Sequence, residues 1–219
     1  MRIIAVADIH GSHDVVEKIL VREETFDAVV IAGDVTTRGT ERELESAIFS
    51  VLGHGKPVVA VAGNMDPPRL EQSLEKLGGS RNGRGIIVGD AGFFGVSACP
   101  VTPFHTPYEL DEEEIARRAE AGWAQVAAAR WKIFVPHAPP RKTKLDRTFT
   151  GMHPGSRSVR ELIERRIPDV VICGHIHEAR GVDALGATRM VNCGPAGRGY
   201  YAVITIDRTA EVECRQVNV

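Results

Sequence analysis

The chain has 219 residues, of which 43% are hydrophobic and 26% are charged, and its formal net charge is −2. This composition excludes a disordered chain, which combines low hydrophobicity with high net charge. The near-neutral balance disfavours non-specific nucleic-acid binding, which usually needs a surplus of basic residues. No linker-like change of composition divides the sequence, so we expect a single domain, 1–219.

Cysteine usage and the N-terminal segment indicate the compartment. No two cysteines form a C-x-x-C pair, and the first residues lack a signal-peptide cleavage pattern. No apolar run approaches the ~20 residues that a membrane helix needs. We therefore expect reduced thiols, a cytoplasmic location and no membrane partner.

In the first third of the chain, short apolar runs alternate with longer amphipathic stretches. This pattern predicts strands over 2–8, 27–34 and 57–64, and helices over 13–24, 40–53 and 67–79. Strand–helix alternation is typical of an α/β fold with a largely parallel sheet. The strands are apolar almost throughout, as strands buried on both faces should be.

The remaining chain adds a second group of elements. We predict a hairpin over 84–98, a loop over 100–110, a helix over 111–130, a strand over 131–137, a long loop over 138–157, and a helix over 158–166 with Ser158 as N-cap. Strands over 169–175, 187–194, 200–207 and 210–217 follow, the last of them as a meander. The expected fold is α/β with two sheets, one from each half, packed face to face with helices outside.

Five predicted strands carry metal-competent polar side chains at their carboxyl ends. Ligands bind at this edge of the sheet in α/β proteins. Turn preference explains Asp and Asn after a strand, but it does not explain four histidines at matching strand ends. The set comprises Asp8, His10, Asp34, Asn64, His137, His175 and His177.

The number and type of these donors favour two metal ions. Seven nitrogen and oxygen donors exceed the three or four that one zinc ion needs. Asp34 is the natural bridge, because a carboxylate offers two oxygens. Two ions ~3.5–4 Å apart could clamp the attacking and leaving oxygens of a displacement at phosphorus. Imidazole with carboxylate suits Mn, Fe, Zn or Ni, and we expect two divalent ions, with Mn²⁺ first.

The motifs D-x-H, G-D, G-N, H and G-H-x-H, in this order over residues 8–177, resemble those of the calcineurin-like metallophosphoesterase superfamily. The resemblance implies a four-layer α/β/β/α sandwich of two mixed sheets flanked by helices, and a metal-dependent phosphoric ester hydrolase. It implies that one ion is held by Asp8, His10, Asp34 and His177. The other ion would be held by Asp34, Asn64, His137 and His175.

The short length and the N-C-G-P turn at 192–195 are similar to small prokaryotic members that act on phosphodiesters. The resemblance therefore implies a phosphodiesterase that hydrolyses a small phosphodiester by attack of a hydroxide bridging the two ions. One alternative is a nuclease or nucleotide pyrophosphatase on the same site, and another is a non-catalytic metal-binding scaffold of the same fold. No nucleic-acid surface is evident, and the sequence leaves the oligomeric state open.

One position departs from the family pattern. Many members have a histidine directly after the G-N, where it helps protonate the leaving group, and this chain has Met65 there. A thioether cannot transfer a proton. We therefore expect weak turnover of alkyl phosphomonoesters, and better turnover of diesters or pyrophosphates with acidic leaving groups. His153, in the long loop, is the first candidate for the missing acid.

Further residues could act on the substrate. Asn64 is expected to act in catalysis as well as in metal binding. His13 and Arg141 are candidates for substrate binding, the latter with Lys142 and Lys144 beside it. A solvated loop is the alternative for these residues. The start of the helix after the long loop could receive a phosphate.

Overall fold

The apolar runs of the first third of the chain form three parallel strands, joined by helices. The computed structural model describes residues 1–218. The elements of this first segment are β1 (Arg2–Val6), α1 (His13–Glu23), β2 (Ala28–Ala32), α2 (Glu41–Leu52), β3 (Val58–Val61) and α3 (Leu70–Lys76). β2 and β3 are buried along their whole length, as their apolar sequences require.

The second segment supplies the remaining strands and two more helices. They are β4 (Gly85–Val88), β5 (Ala91–Val96), β6 (Cys99–Pro100), β7 (Glu109–Leu110), α4 (Glu112–Val126), β8 (Trp131–Pro136), α5 (Arg157–Arg166), β9 (Val170–Cys173), β10 (Gly181–Leu185), β11 (Thr188–Asn192), β12 (Tyr200–Ile206) and β13 (Ala210–Gln216). Within residues 1–218, no helix has the length and apolar character needed to cross a bilayer.

Two large mixed sheets pack face to face. The first has the order β13-β12-β1-β2-β3, and the second has the order β10-β11-β9-β8-β5-β4. One apolar cluster lies between the sheets, a second lies under α1, α2 and α3, and a third lies under α4 and α5. This arrangement confirms the predicted four-layer α/β/β/α sandwich.

The assignment of one sheet to each half of the chain is wrong at the C-terminus. β12 pairs with β1 in antiparallel orientation, with Ile3 opposite Ile204, and β13 pairs with β12. The predicted final meander is therefore divided between the two sheets. β12 satisfies the backbone groups on the edge of β1 that faces away from β2, which would otherwise be buried without partners.

Three local predictions also differ from the structure. α5 begins one residue earlier than predicted, and its N-cap is Ser156 and not Ser158. The Ser156 hydroxyl accepts a hydrogen bond from the Val159 N–H at 3.1 Å. β10 is absent from the sequence prediction because it is a partly exposed edge strand and not an apolar run. The loop predicted over 100–110 is closed by the short parallel pair of β6 and β7.

Candidate metal centre

The carboxyl ends of five strands, drawn from both sheets, meet at one edge of the sandwich. In the first sheet, β1, β2 and β3 lead into the segments of Asp8, Asp34 and Asn64. In the second sheet, β8 and β9 lead into His137 and His175. Backbone hydrogen bonds join neighbouring strand ends, from the Asp8 N–H to the Gly33 carbonyl at 3.0 Å and from the Gly174 N–H to the His137 carbonyl at 3.0 Å. The structure thus brings the predicted ligand segments together.

Donor atoms of five of these residues form two groups, and within each group they lie within 4.8 Å of one another. One group is Asp8, His10 and His177, and the other is Asp8, Asp34 and His137. The two oxygens of Asp34 face different groups, since Oδ2 is 3.7 Å from His10 Nε2 and Oδ1 is 3.6 Å from His137 Nε2. This is the placement that a bridging carboxylate needs.

His137 directs its Nε2 atom toward oxygen atoms and not toward a donor. Its Nδ1 lies 2.8 Å from the Ala32 carbonyl oxygen, which can only accept, so the neutral ring has its proton on Nδ1. Its Nε2 then faces Asn64 Oδ1 at 3.0 Å and Asp34 Oδ1 at 3.6 Å. Asn64 Oδ1 also lies 2.8 Å from His175 Nδ1. Acceptor atoms that converge in this way fit a cation between them, and a backbone carbonyl commonly orients a metal-binding histidine.

Two glycines allow the strand ends to approach this closely. A Cβ atom at Gly63 would collide with the carboxylate of Asp34, and a Cβ atom at Gly33 would collide with the ring of His137. Gly33 also has φ of +92°, which side chains rarely adopt. Steric crowding therefore explains why a glycine precedes the aspartate in the G-D pair and the asparagine in the G-N pair.

The backbone of the site is strained at the ligands themselves. φ is +50° at Asp8, +46° at His10, +51° at Asp34 and +70° at His175. A non-glycine residue in the left-handed region costs ~1–3 kcal/mol and persists only where its surroundings impose it. Such residues concentrate at functional sites, and here they are four of the seven predicted ligands.

Asp66 is a buried carboxylate that links two ligand loops, and no motif in the sequence assigns it a role. It accepts hydrogen bonds from the backbone N–H of Val35 at 3.0 Å, Thr36 at 2.8 Å and Gly63 at 2.9 Å. The loop after β2 and the loop after β3 are thereby fixed to each other. The only indication of this role in the sequence is that Asp66 lies two residues after Asn64.

Asn192, also missed, plays a similar part in the second sheet. Its side-chain amide donates to the carbonyl of Ile176 at 2.9 Å and to that of Leu145 at 3.1 Å. Ile176 lies between two predicted ligands, so this buried amide positions both of them. Asn192 begins the N-C-G-P turn noted in the sequence.

Comparison with known proteins identifies the family. The model of the calcineurin-like phosphoesterase family matches residues 1–179. The chain belongs to this family. It is therefore a metal-dependent phosphoric ester hydrolase, and the family's need for two metal ions agrees with the two donor groups.

Individual relatives agree with this fold. An uncharacterized protein of Methanocaldococcus jannaschii is 30% identical over 210 residues, which cover 94% of this chain and 92% of that protein. The protein TT1561 of Thermus thermophilus has a TM-score of 0.78 at 18% identity, with 98% of each chain covered. A dimetal phosphatase from Danio rerio has a TM-score of 0.66 at 12% identity, covering 100% of this chain and 97% of that one. At such identities these two structures show the shared fold.

Burial determines the charge states in this phosphoesterase site. Burial raises the pKa of Asp34 to about 6, and the nearby charge of Asp8 acts in the same direction. Burial and the neighbouring His137 lower the pKa of His175 to about 3, so His175 is neutral and able to bind metal at neutral pH. A hydrogen bond to Asp8 raises the pKa of His177. A bound cation would offset the carboxylate charge that burial disfavours.

Three residues predicted for catalysis or substrate binding lie outside this cluster. His153 Nδ1 is 2.7 Å from Asp146 Oδ1, and His13 Nδ1 is 2.9 Å from the Gly11 carbonyl oxygen. Arg141 is exposed in the long loop. Within residues 1–218, no hydrogen bond or ion pair joins any of the three to the seven predicted ligands. Their roles stay predictions.

The prediction of a phosphate at the start of α5 is wrong. The carboxylate of Glu112 accepts hydrogen bonds there from the N–H of Arg157 at 2.7 Å, the N–H of Ser158 at 2.9 Å and the hydroxyl of Ser156 at 2.7 Å. A side chain from α4 therefore occupies the place that the sequence offered to a ligand.

The raised pKa of Asp34 predicts how Asp34→Asn changes the stability of the metal-free protein. At a pH below 3.8, the ordinary pKa of aspartate, Asp34 of the wild type and the asparagine of the variant are both uncharged. The wild type and the variant should then be equally stable. As pH rises through about 6, the wild type acquires a buried charge that the unfolded chain hydrates better, and it loses stability. Asparagine keeps an oxygen for the Met65 N–H without that charge. In EDTA at pH 8, urea titration should show the variant to be ~1–3 kcal/mol more stable.

The exposed Asp90→Asn serves as the matched control and should show no such pH-dependent difference. An Asp34→Asn variant that is no more stable than the wild type at pH 8 would contradict this assignment of a buried, uncompensated charge.

Proposed function

We propose that this phosphoesterase hydrolyses small phosphodiesters whose leaving groups are acidic. The observation that carries the proposal is Met65. Its backbone N–H donates to Asp34 Oδ1 at 2.8 Å, so the peptide orients the carboxylate that would bridge the two ions. Its thioether, which follows Asn64 directly, cannot donate a proton to a leaving oxygen. The leaving group must therefore be stable as an anion.

The seven donors would hold two ions. One ion would be held by Asp8, His10, Asp34 and His177, and the other by Asp34, Asn64, His137 and His175. When bound, such ions lower the pKa of coordinated water and offset negative charge on the phosphoryl oxygens. The donor set of carboxylates, imidazoles and one amide, without thiolate, supports Mn²⁺, with Fe, Zn and Ni as alternatives.

The chain's own residues keep this site ready for an anionic substrate. His175 stays neutral, and the Ala32 carbonyl accepts a hydrogen bond from Nδ1 of His137, which directs Nε2 of His137 into the cluster. The oxygen of Asn64 faces these two rings. Its Nδ2 makes no hydrogen bond within residues 1–218, which supports a second role for Asn64 as a donor to a phosphoryl oxygen.

Among residues 1–218, the other histidines considered as the acid make no hydrogen bond to the ligand cluster. His13 and His153 bond to partners outside the ligand cluster, and His105 is exposed in the loop between β6 and β7. A general acid typically contributes ~10²–10⁴-fold to the rate. An aryl or phosphoryl leaving group does not need that contribution, whereas an alkyl alcohol does.

Hydrolysis of bis-p-nitrophenyl phosphate tests the proposal, because its leaving group needs no protonation. Metal-stripped protein should be inactive, and added Mn²⁺ should restore release of p-nitrophenol. Asp34→Asn should lose this activity ~10²-fold or more, because the variant cannot bridge the ions. The exposed Asp90→Asn should keep it. Two bound ions without any hydrolysis would contradict the proposal and favour the non-catalytic scaffold.

Restoring the acid should change the substrate preference. We expect Met65→His to raise kcat for an alkyl phosphomonoester by about tenfold or more. The rate on bis-p-nitrophenyl phosphate should change less than about threefold, because that leaving group departs without a proton. Met65→Leu, which restores no acid, is the control. Unchanged alkyl-ester activity in Met65→His, with both ions bound, would show that Met65 does not set the preference.

A nucleotide pyrophosphatase is favoured by the same observation, because a phosphate leaving group is also acidic. It would release a nucleoside monophosphate from a phosphoanhydride on the same site. The values of kcat/KM for a nucleoside diphosphate ester and for bis-p-nitrophenyl phosphate, measured side by side, separate the two activities. The four cysteines are free thiols, which supports a reducing compartment for either activity.

A further inference from the structure

A cavity of about 410 Å³ opens in the long loop between β8 and α5. Its charged lining consists of Lys142, Lys144, Arg147 and Asp183, with His153 beside them. Three permanent positive charges thus face one carboxylate, in a chain whose overall net charge is −2. We call this cavity the basic pocket. Its surplus of positive charge fits an anionic ligand.

The cations of the basic pocket have no partners of their own. In the part of the chain that the structure covers, the side chains of Lys142, Lys144 and Arg147 make no ion pair or hydrogen bond. Arginines on the neighbouring helices are paired, as in Arg117 with Glu114. The oxygens of Asp183 are engaged by backbone N–H groups, from Lys144 at 2.9 Å and from the next residue at 2.9 Å. The positive charge of the pocket is therefore available to a ligand.

A buried carboxylate holds the walls of the pocket in place. Asp146 is fully buried and accepts hydrogen bonds from the N–H groups of Lys142 at 3.0 Å, Thr143 at 2.9 Å and Gly155 at 3.2 Å. It also pairs with the ring of His153 at 2.7 Å. Lys142 has φ of +60°, a strained value that these bonds maintain. The backbone of the pocket is therefore fixed before an anion binds, and only the cationic side chains lose conformational freedom on binding.

Hydrogen bonds connect the loop of the basic pocket to the metal centre. The amide of Asn192 donates both to Leu145, beside the pocket, and to Ile176, beside the predicted ligand His177. On the far side of the same loop, the Phe149 N–H donates to the carboxylate of Glu178 at 3.4 Å. The loop that forms the pocket is therefore attached on both sides to the segment of one metal ligand.

We propose that the basic pocket binds a second phosphate group of the substrate, away from the phosphorus that is hydrolysed. The substrate class would be a phosphodiester that also bears a terminal phosphate. Two ammonium groups and one forked guanidinium suit a dianion such as phosphate. Their three positive charges outweigh the negative charge of the single carboxylate that faces them. This inference rests on the proposed phosphodiesterase activity and names the part of the substrate that gives it selectivity.

A matched pair of synthetic diesters tests the proposal. Both are p-nitrophenyl alkyl phosphodiesters, and the alkyl chain ends either in a phosphate or in a hydroxyl group. A series of chain lengths covers the unknown span between the two sites. At the best length, the phosphate-terminated diester should have a KM about tenfold lower than its hydroxyl counterpart, with kcat changed less than about twofold.

The pair Lys144→Ala with Arg147→Ala should abolish this difference in KM. The same variant should leave KM for the hydroxyl diester unchanged. Replacement of two exposed lysines on the opposite side, Lys18→Ala with Lys56→Ala, is the control for loss of net charge and should preserve the difference. Equal KM values for the two diesters at every length would overturn the proposal, as would an equal rise in both KM values in the double variant.

A gain of affinity provides a test that a folding defect cannot imitate. Asp183→Asn removes the opposing charge from the pocket and keeps an oxygen for the Lys144 N–H. KM for the phosphate-terminated diester should fall by a further ~2–3-fold, and KM for the hydroxyl diester should not change. A rise in KM for the phosphate-terminated diester would contradict the pocket's role.

Binding of hexyl phosphate to metal-free protein separates this inference from the proposed activity. Calorimetry should detect binding that the double variant lacks, even if no diester is hydrolysed. Absence of binding overturns the basic pocket as an anion site. Inorganic phosphate is the other source of the same chemistry. Suppose that inorganic phosphate changes turnover of the hydroxyl diester in the wild type but not in the double variant, and that the two diesters have the same KM. The pocket then binds a free anion and not a group of the substrate, and the proposal is wrong.

Discussion

The carboxylate of Asp34 reaches toward a histidine of each donor group. One oxygen faces His10, and the other faces His137, which belongs to the opposite sheet. The carboxylate is almost fully buried, and burial raises its pKa to about 6. A charge in that position is unfavourable unless cations offset it. Much of the surrounding structure can be understood as the means of holding this group where two ions would need it.

Several features that look independent serve that placement. Gly63 lacks a side chain because any Cβ atom would collide with Asp34. Asp66 ties together the two loops on either side, and the Met65 peptide donates to one of the oxygens. The left-handed backbone at the ligands adds strain that the fold must support. The strained backbone and the buried carboxylate therefore lower the stability of the metal-free protein, and they hold the geometry that metal binding would need.

The sequence was informative where a pattern had one physical cause. Apolar strands ending in metal-competent residues predicted the two packed sheets and seven candidate ligands, and the structure places the segments of these residues at one edge of the sandwich. The sequence was uninformative about contacts between residues that lie far apart along the chain. Nothing local shows that β12 returns to the edge of β1, or that Glu112 occupies the start of α5. Asp66 and Asn192 look like ordinary turn residues until their hydrogen bonds are seen. The pairing of His153 with Asp146 likewise depends on the folded loop.

We propose that both sheets together form two metal sites that share Asp34. The most direct test is the number of Mn²⁺ ions bound per chain, measured by elemental analysis after equilibrium dialysis. We expect two ions for the wild type, one for His10→Ala, one for His137→Ala, and two for the loop control His105→Ala. A single ion in the wild type, or two ions in both ligand variants, would contradict the proposal.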